Sequence, residues 1–382
     1  MGMRTVLILT AAFGEGHNAA ARGLKEAFDA EGVRAEVLDP FGPAFGKWYE
    51  WTRRNYVRMV NQAPWVWSLL YGWVDLVSFP TLGLKFLRPL ERQLQWALDQ
   101  WKPSVVVSVF PIYGYFLAGA ARRAGVPKPR LFTVVTDSIS VNSLWYRCES
   151  DALLLPNEDT ADVLLGAGVC REQIVVTGFP VSPRFASESG RVAPPGPGQK
   201  PKVLLMVNGQ RLRALALVER ILREGEVELT VTVGRDAELG RWLERVGQGC
   251  GRPLRVLGWV GDVPALMREH HLLIGKAGGA TVQEALAAHL PMLVTQILPG
   301  QEEGNARLLV QNGCGVHCPT NESVIQCLRS LLAGTCEGWT RMHDHTKRLG
   351  RPDASTQTVR WILSRPTLPE REANEAFGVR PV

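Results

Sequence analysis

Short unbroken apolar runs alternate with amphipathic stretches along most of the chain, and that alternation predicts a doubly wound α/β protein with parallel sheets. Runs at residues 5–10, 35–38, 104–109, 131–136, 151–155 and 174–177 read as buried parallel strands. A second series at 203–207, 228–233, 254–257, 272–276 and 291–295 repeats the pattern. Helical periodicity falls between them, over 18–31, 114–124, 214–223 and from Thr281 onward, and two helical segments are expected after Cys318. The stretch Pro194-Pro-Gly-Pro-Gly198 interrupts the alternation and reads as a linker. The expected organisation is therefore an N-terminal domain over 1–185, a linker over 186–202 and a C-terminal domain over 203–345. A helix at 346–365 is expected to pack back on the N-terminal domain, followed by an unstructured tail at 366–382.

The strand at 272–276 runs into Gly278 and Gly279, and Thr281-x-x-Glu284 has the spacing that opens a helix. A strand, a tight glycine turn and a helix start present free backbone N–H groups and the positive end of the helix dipole to one point, which suits an anion. The same pattern also serves as a plain connection in many α/β proteins. Glu284 likewise reads two ways, as a capping-box partner of Thr281 or as a ligand-binding carboxylate. The next strand ends in Pro299-Gly-Gln301-Glu302-Glu-Gly-Asn305, which brings polar side chains to the carboxyl edge of the sheet, where open α/β sheets bind ligands.

In the N-terminal half the first strand leads into Gly14-Glu-Gly16-His17. This loop lacks the third glycine of a dinucleotide fingerprint, and only Asp39 stands near a ribose-binding position. His17 is either a surface or capping residue or a general base, since imidazole is the usual base near neutral pH. Asp137, at another strand end, is either a loop cap or a functional carboxylate.

Composition narrows the class. The chain has 382 residues and a net charge of +6 without a block of Lys or Arg, which argues for an anionic ligand or surface and against nucleic acid. Seven scattered cysteines without a C-x-x-C pair read as reduced thiols in a cytoplasmic protein. The N-terminal apolar run is too short for a signal peptide. Residues 41–101 hold seven of the twelve tryptophans: Trp48, Trp51, Trp65, Trp67, Trp73, Trp96 and Trp101, interleaved with Arg53, Arg54 and Arg58. Rings and arginines so mixed suit a membrane interface, and equally a helical core. The run at 65–79 is shorter than the roughly 20 residues a spanning helix needs, and it contains Asp75.

Gly14-x-Gly16-His17, Thr136-Asp137, Gly178-x-Pro180, Lys276-Ala-Gly-Gly-x-Thr281-x-x-Glu284 and Pro299-Gly-Gln301-Glu302-x-Gly-Asn305 together resemble glycosyltransferase family 28. The likeness is to its monogalactosyldiacylglycerol synthases and processive diacylglycerol glucosyltransferases. It implies the GT-B architecture, two Rossmann-like domains facing an interdomain cleft. It also implies an inverting transferase that moves a hexose from a UDP-sugar to a membrane lipid such as diacylglycerol.

In this reading His17 is the base, and Asp137 orients it or replaces it. The donor is held by Gly209, Gln210, Lys276, Gly278, Gly279, Thr281, Glu284, Gln301, Glu302 and Asn305. Gly16, Trp48, Trp51, Arg53, Arg54, Trp65 and Trp67 meet the acceptor and an anionic membrane surface at the inner face of the cell membrane. No metal ligand set and no cofactor is implied, since the UDP-sugar is a substrate and there is no Asp-x-Asp motif. Val141 and Asn142 stand where relatives carry a histidine, which opens the possibility of a different acceptor. His271, where relatives carry an aspartate, reads as structural. The alternatives are a UDP-GlcNAc-type transferase acting on a polyprenyl-linked precursor and a non-catalytic membrane-surface sensor of UDP-sugar.

Overall fold

A computed structural model describes residues 5–52, 55, 87–187, 191–196, 199–300, 302–332 and 334–365. Arg53, Arg54, Arg58, Trp65, Trp67, Trp73, Gln301 and the tail at 366–382 lie outside the described residues. The chain forms two compact units, one containing residues up to Pro183 and again from Asp353, the other Arg184–Pro352.

The first unit is a parallel sheet of β1 (Val6–Leu9), β2 (Ala35–Leu38), β3 (Val105–Ser108), β4 (Arg130–Val134), β5 (Ala152–Leu155) and β6 (Ile174–Val176), in the order β2-β1-β3-β4-β5-β6. All four residues of β1 are buried, as an apolar run covered on both faces requires. β1 pairs with β2 on one side and β3 on the other, so the winding reverses between β1 and β3. The helix Glu15–Ala30 follows β1 and begins three residues before the expected start, which puts His17 inside its first turn. Gly23 lets this helix lie against the chain at Pro180, where a Cβ would come within 2.4 Å of the Pro180 carbonyl oxygen. The helix Ala354–Ser364 packs on Glu15–Ala30, with Trp361 edge-on to Phe132 and Arg360 bonded to Glu31.

The second unit repeats the plan with β7 (Lys202–Met206), β8 (Glu228–Thr232), β9 (Leu254–Leu257), β10 (Leu272–Lys276), β11 (Met292–Gln296) and β12 (Gly315–His317), ordered β12-β11-β10-β7-β8-β9. Every pairing is parallel, and the winding reverses between β7 and β10. The short β12 is not among the expected strands, because three residues containing a glycine carry no apolar run. Among the described residues three helices rather than two follow it, Asn321–Leu332, Glu337–Leu349 and Ala354–Ser364. The described part of the proline-rich stretch is fastened to this unit: the Val192 N–H donates to the Arg268 carbonyl, and the Arg191 guanidinium donates to the Ala288 carbonyl.

The fold is therefore α/β, with two doubly wound parallel sheets, as the alternation of apolar and amphipathic segments predicts. Among the described residues no helix is long and apolar enough to cross a membrane.

Candidate active site

Open parallel sheets collect ligands outside the carboxyl ends of their strands where the winding reverses. In the first unit that place lies between the loops after β1 and β3. His17 reaches across it: Nδ1 lies 2.8 Å from the Val109 carbonyl oxygen and 3.0 Å from Thr136 Oγ1. A carbonyl only accepts, so Nδ1 carries the proton and Nε2 keeps its lone pair. Phe110 lies edge-on to the imidazole at 5.1 Å, and Trp145 is tilted against it at 6.0 Å. Burial pushes the imidazole down to about 4, against the opposing pull of the Val109 carbonyl, so His17 is neutral at pH 7.

Asp137 stands nearby without a hydrogen bond to His17; its Oδ2 accepts from Trp145 Nε1 at 2.9 Å. Burial raises its carboxyl to about 6, and the Trp145 bond opposes the rise. His17 is thus oriented by a backbone carbonyl and a threonine, and Asp137 is a separate titratable group. Asn142 accepts from the Leu144 N–H and caps the short turn Ser143–Trp145, so its amide oxygen is engaged locally. The Asp39 carboxylate is engaged within the fold, accepting from the Ala12 and Phe41 N–H groups and from the Tyr49 hydroxyl.

In the second unit the corresponding place lies between the loops after β7 and β10. The helix Gly279–Ala287 starts two residues earlier than Thr281, with Gly278 at its cap and no side chain bonded there. The first helical bond runs from the Val282 N–H to the Gly278 carbonyl, which leaves the N–H groups of Gly279, Ala280 and Thr281 aimed outward ahead of it. Thr281 itself therefore occupies the position a capping-box glutamate would need, and Glu284, deeper in the helix and half-buried, is not that partner.

Polar atoms crowd the cap. A Cβ on Gly278 would lie 3.5 Å from Lys276 Nζ, 3.7 Å from Glu302 Oε1 and 3.7 Å from Thr281 Oγ1. Lys276 and Glu302 form an ion pair, and Glu302, 4% exposed, also accepts from the Leu298 N–H through Oε2. Asn305 donates to the Ala277 carbonyl, while its buried Oδ1 has no partner among the described residues. A cavity of about 40 Å³ joins Asn208, Gly209 and Gln210 to Lys276, Thr295 and Gln296. Gly209 has φ +85° and Gln210 φ +48°, so two consecutive left-handed residues turn the backbone sharply at this opening.

One position carries no signal in the sequence. Trp259, after β9, is 57% exposed with the Arg235 guanidinium 4.8 Å above its ring. With strands spaced about 4.8 Å apart, it stands roughly 14 Å along the same carboxyl edge from β10. His271 accepts from the Lys202 N–H and donates to the Ala193 carbonyl, a neutral structural role. Gly16 lies in the first turn of the His17 helix. Of the Trp-rich segment, Trp48 and Trp51 are 73% and 59% exposed and lie edge to face at 6.0 Å, whereas Tyr49 between them is buried. A cavity of about 720 Å³ lies elsewhere, between Gly313, Ser330 and His345.

Comparisons with known proteins bear on the family and the fold. Residues 17–181 match the monogalactosyldiacylglycerol (MGDG) synthase family, and residues 210–356 match the glycosyltransferase family 28 C-terminal domain. A processive diacylglycerol beta-glucosyltransferase of Bacillus cereus (strain AH820) is 26% identical over 366 residues, covering 94% of this chain and 93% of that protein. Among solved structures, MurG of Acinetobacter baumannii superposes with a TM-score of 0.61 at 17% identity, covering 95% of this chain and all of that one. A UDP-N-acetylglucosamine 2-epimerase superposes with a TM-score of 0.60 at 14% identity, covering 100% and 98%. The fold is thus of the GT-B class and is shared by transferases and epimerases, so the fold alone does not choose the reaction.

Proposed function

Because this chain belongs to glycosyltransferase family 28, in its monogalactosyldiacylglycerol synthase and processive diacylglycerol glucosyltransferase branch, we propose that it transfers a hexose from a UDP-sugar to diacylglycerol with inversion. The carrying observation is a division of labour: a neutral imidazole whose Nε2 has no partner among the described residues at one winding reversal, and a glycine-opened helix start without a side-chain cap at the other.

His17 Nε2 takes the proton of the acceptor hydroxyl as that oxygen bonds to the anomeric carbon. The bond from the anomeric carbon to the diphosphate oxygen breaks, and UDP leaves with the electron pair. Its new charge is met by the N–H groups of Gly279, Ala280 and Thr281 and by Lys276, a preorganised set of donors. The Gly209–Gln210 turn closes on the phosphates from β7, and Trp259 with Arg235 offers a flat, cationic platform for the base. Glu284 accepts from the ribose hydroxyls. Gln301, Glu302 and Asn305 address the hexose, with the unpartnered Asn305 Oδ1 as an acceptor.

The exposed Trp48 and Trp51 rest at the lipid surface on the inner face of the cell membrane, where an aromatic ring and an N–H are both satisfied. Arginines 53 and 54 follow directly in sequence and add attraction to anionic lipid.

The deciding experiment incubates the protein with diacylglycerol vesicles and a panel of radiolabelled UDP-sugars. Label entering the lipid from one donor, with release of UDP, is expected. Epimerised UDP-sugar with no labelled lipid would overturn the reading.

A further inference from the structure

Ala12, in the loop between β1 and the His17 helix, is held from behind. Its N–H is shared by Asp39 Oδ2 at 3.0 Å and the Tyr49 hydroxyl at 2.8 Å, and that hydroxyl donates to the same carboxylate oxygen at 2.7 Å. The second oxygen, Oδ1, accepts from the Phe41 N–H at 2.9 Å. Phe13, the next residue, lies edge to face with the rings of Phe41 and Tyr49, each at 5.3 Å, which stack on one another at 5.8 Å, and it stacks on Phe110 at 5.9 Å. Phe110 in turn presents its ring to His17. An unbroken run of contacts therefore leads from Asp39 and Tyr49 through Phe13 and Phe110 to the imidazole.

The Asp39 carboxylate thus ties together the Ala12 N–H of this loop, the Phe41 N–H after β2 and the Tyr49 hydroxyl. A carboxylate whose bonds go to two backbone N–H groups and a tyrosine fixes a loop. The loop in question supplies one wall of the His17 pocket.

We propose that Asp39 and Tyr49 are positioning residues for His17, seating Phe13 against Phe110 so that the imidazole is held and kept from water. The proposal deepens the assignment of His17 as base and rests on it only for its kinetic consequence. Of the other polar and titratable groups along this run of contacts, Thr136 bonds to Nδ1, Asp137 is engaged by Trp145, and Tyr113, packed on Phe41 and Phe110, donates its hydroxyl to the Thr10 carbonyl.

Tyr49→Phe tests this, because the ring and its packing remain while the hydroxyl is lost. Asp39→Asn is the second variant, since an amide oxygen still accepts but lacks the charge. The primary readout is the NMR titration of the His17 ring protons in the free protein, which needs neither donor nor acceptor. In Tyr49→Phe the midpoint is expected to rise by at least about one pH unit from near 4 toward the ordinary histidine value as water enters, with Asp39→Asn intermediate. Turnover should fall about tenfold while UDP affinity by calorimetry is unchanged.

An unmoved His17 midpoint in both variants overturns the proposal, whatever the activity. A lowered melting temperature with the midpoint still near 4 does the same, because it marks Tyr49 as general core packing. A raised midpoint with no transferase activity in the parent protein would instead leave the positioning intact and remove the reaction.

Discussion

The two winding reversals are built from the same topology and opposite materials. At the first, aromatic rings surround one histidine and one aspartate, and burial moves both away from their ordinary titration, His17 down to about 4 and Asp137 up to about 6. At the second, glycines, backbone N–H groups and an ion pair gather around a helix cap, with Lys276 and Glu302 satisfying one another. A half-buried, ring-lined pocket suits a base that must stay neutral until it takes a proton. A polar cradle suits a diphosphate whose charge rises as it leaves. This contrast supports the proposed reading, in which the first unit takes the acceptor hydroxyl and the second the donor.

The largest effect expected from breaking this contrast is at His17. His17→Ala should lower turnover by about 10² to 10⁴, the range for a lost general base, and leave UDP affinity unchanged. The pH profile separates the two candidates further. The acid limb of kcat/KM follows the group that must be deprotonated in the free enzyme, so a limb near pH 4 marks His17 and one near pH 6 marks Asp137. Retained turnover in His17→Ala together with a limb near 6 would move the base to Asp137.

Gly278→Ala probes the second reversal with a smaller expected effect. Gly278 has φ −65°, which alanine adopts freely, and the nearest atoms to a Cβ are 3.5 to 3.7 Å away, ordinary contact distances. The fold should therefore tolerate the methyl group, while a diphosphate approaching the cap meets it. Losing close approach to charge-assisted donors is expected to cost about 1.5 to 3 kcal/mol, or roughly tenfold to a hundredfold in UDP affinity by calorimetry, at an unchanged melting temperature. Since N–H groups and Lys276 are the proposed counter-charge, turnover should also survive a metal chelator. Loss of activity in chelator, restored by a divalent cation, would show that the cradle needs a metal after all.

How legible these places are in the sequence differs as much as their chemistry. Eleven of the twelve strands among the described residues fall on runs read from the sequence; the central ones are plainest, because a strand buried on both faces leaves little choice of residue type, while the edge strands β2 and β9 are partly exposed and carry a charged residue each. The glycine-opened helix is also plain, but its first residue is not: Thr281-x-x-Glu284 mimics a capping box, while Gly278 in extended conformation starts the helix earlier. His17 and Asp137 are visible as residue types at strand ends, and their partners are not. Val109 holds His17 through a backbone carbonyl, which no side chain advertises, and the Trp145 bond to Asp137 depends on a turn between them. Trp259 passes in sequence for an ordinary surface ring, and only its place at the carboxyl edge, under Arg235, gives it meaning.

The smallest expected effect concerns stability, and it asks whether the first reversal is dry enough to cost the fold something. Asp137 has a folded value near 6, above its ordinary value of 3.8, so its favourable contribution is complete below about pH 3.8 and is lost as pH rises through about 6. His17 runs the other way. Its folded value near 4 lies below the ordinary 6.5, so its contribution is present above 6.5 and lost as pH falls through about 4. Asp137→Asn removes only the first titration, and the amide oxygen can still accept from Trp145. A tenfold change in proton affinity is worth about 1.4 kcal/mol, and the amide's own burial offsets part of the gain, so a stabilisation of about 1 to 2 kcal/mol is expected at pH 7 to 8. That advantage should shrink through pH 6 and vanish near pH 4, while the fall in stability due to His17 remains in both proteins. Denaturant midpoints measured from pH 4 to 8 check the shape of the difference. A difference that stays flat with pH would mean the Asp137 carboxylate is as well solvated as in the unfolded chain, and the contrast between a dry and a polar reversal would then rest on His17 alone.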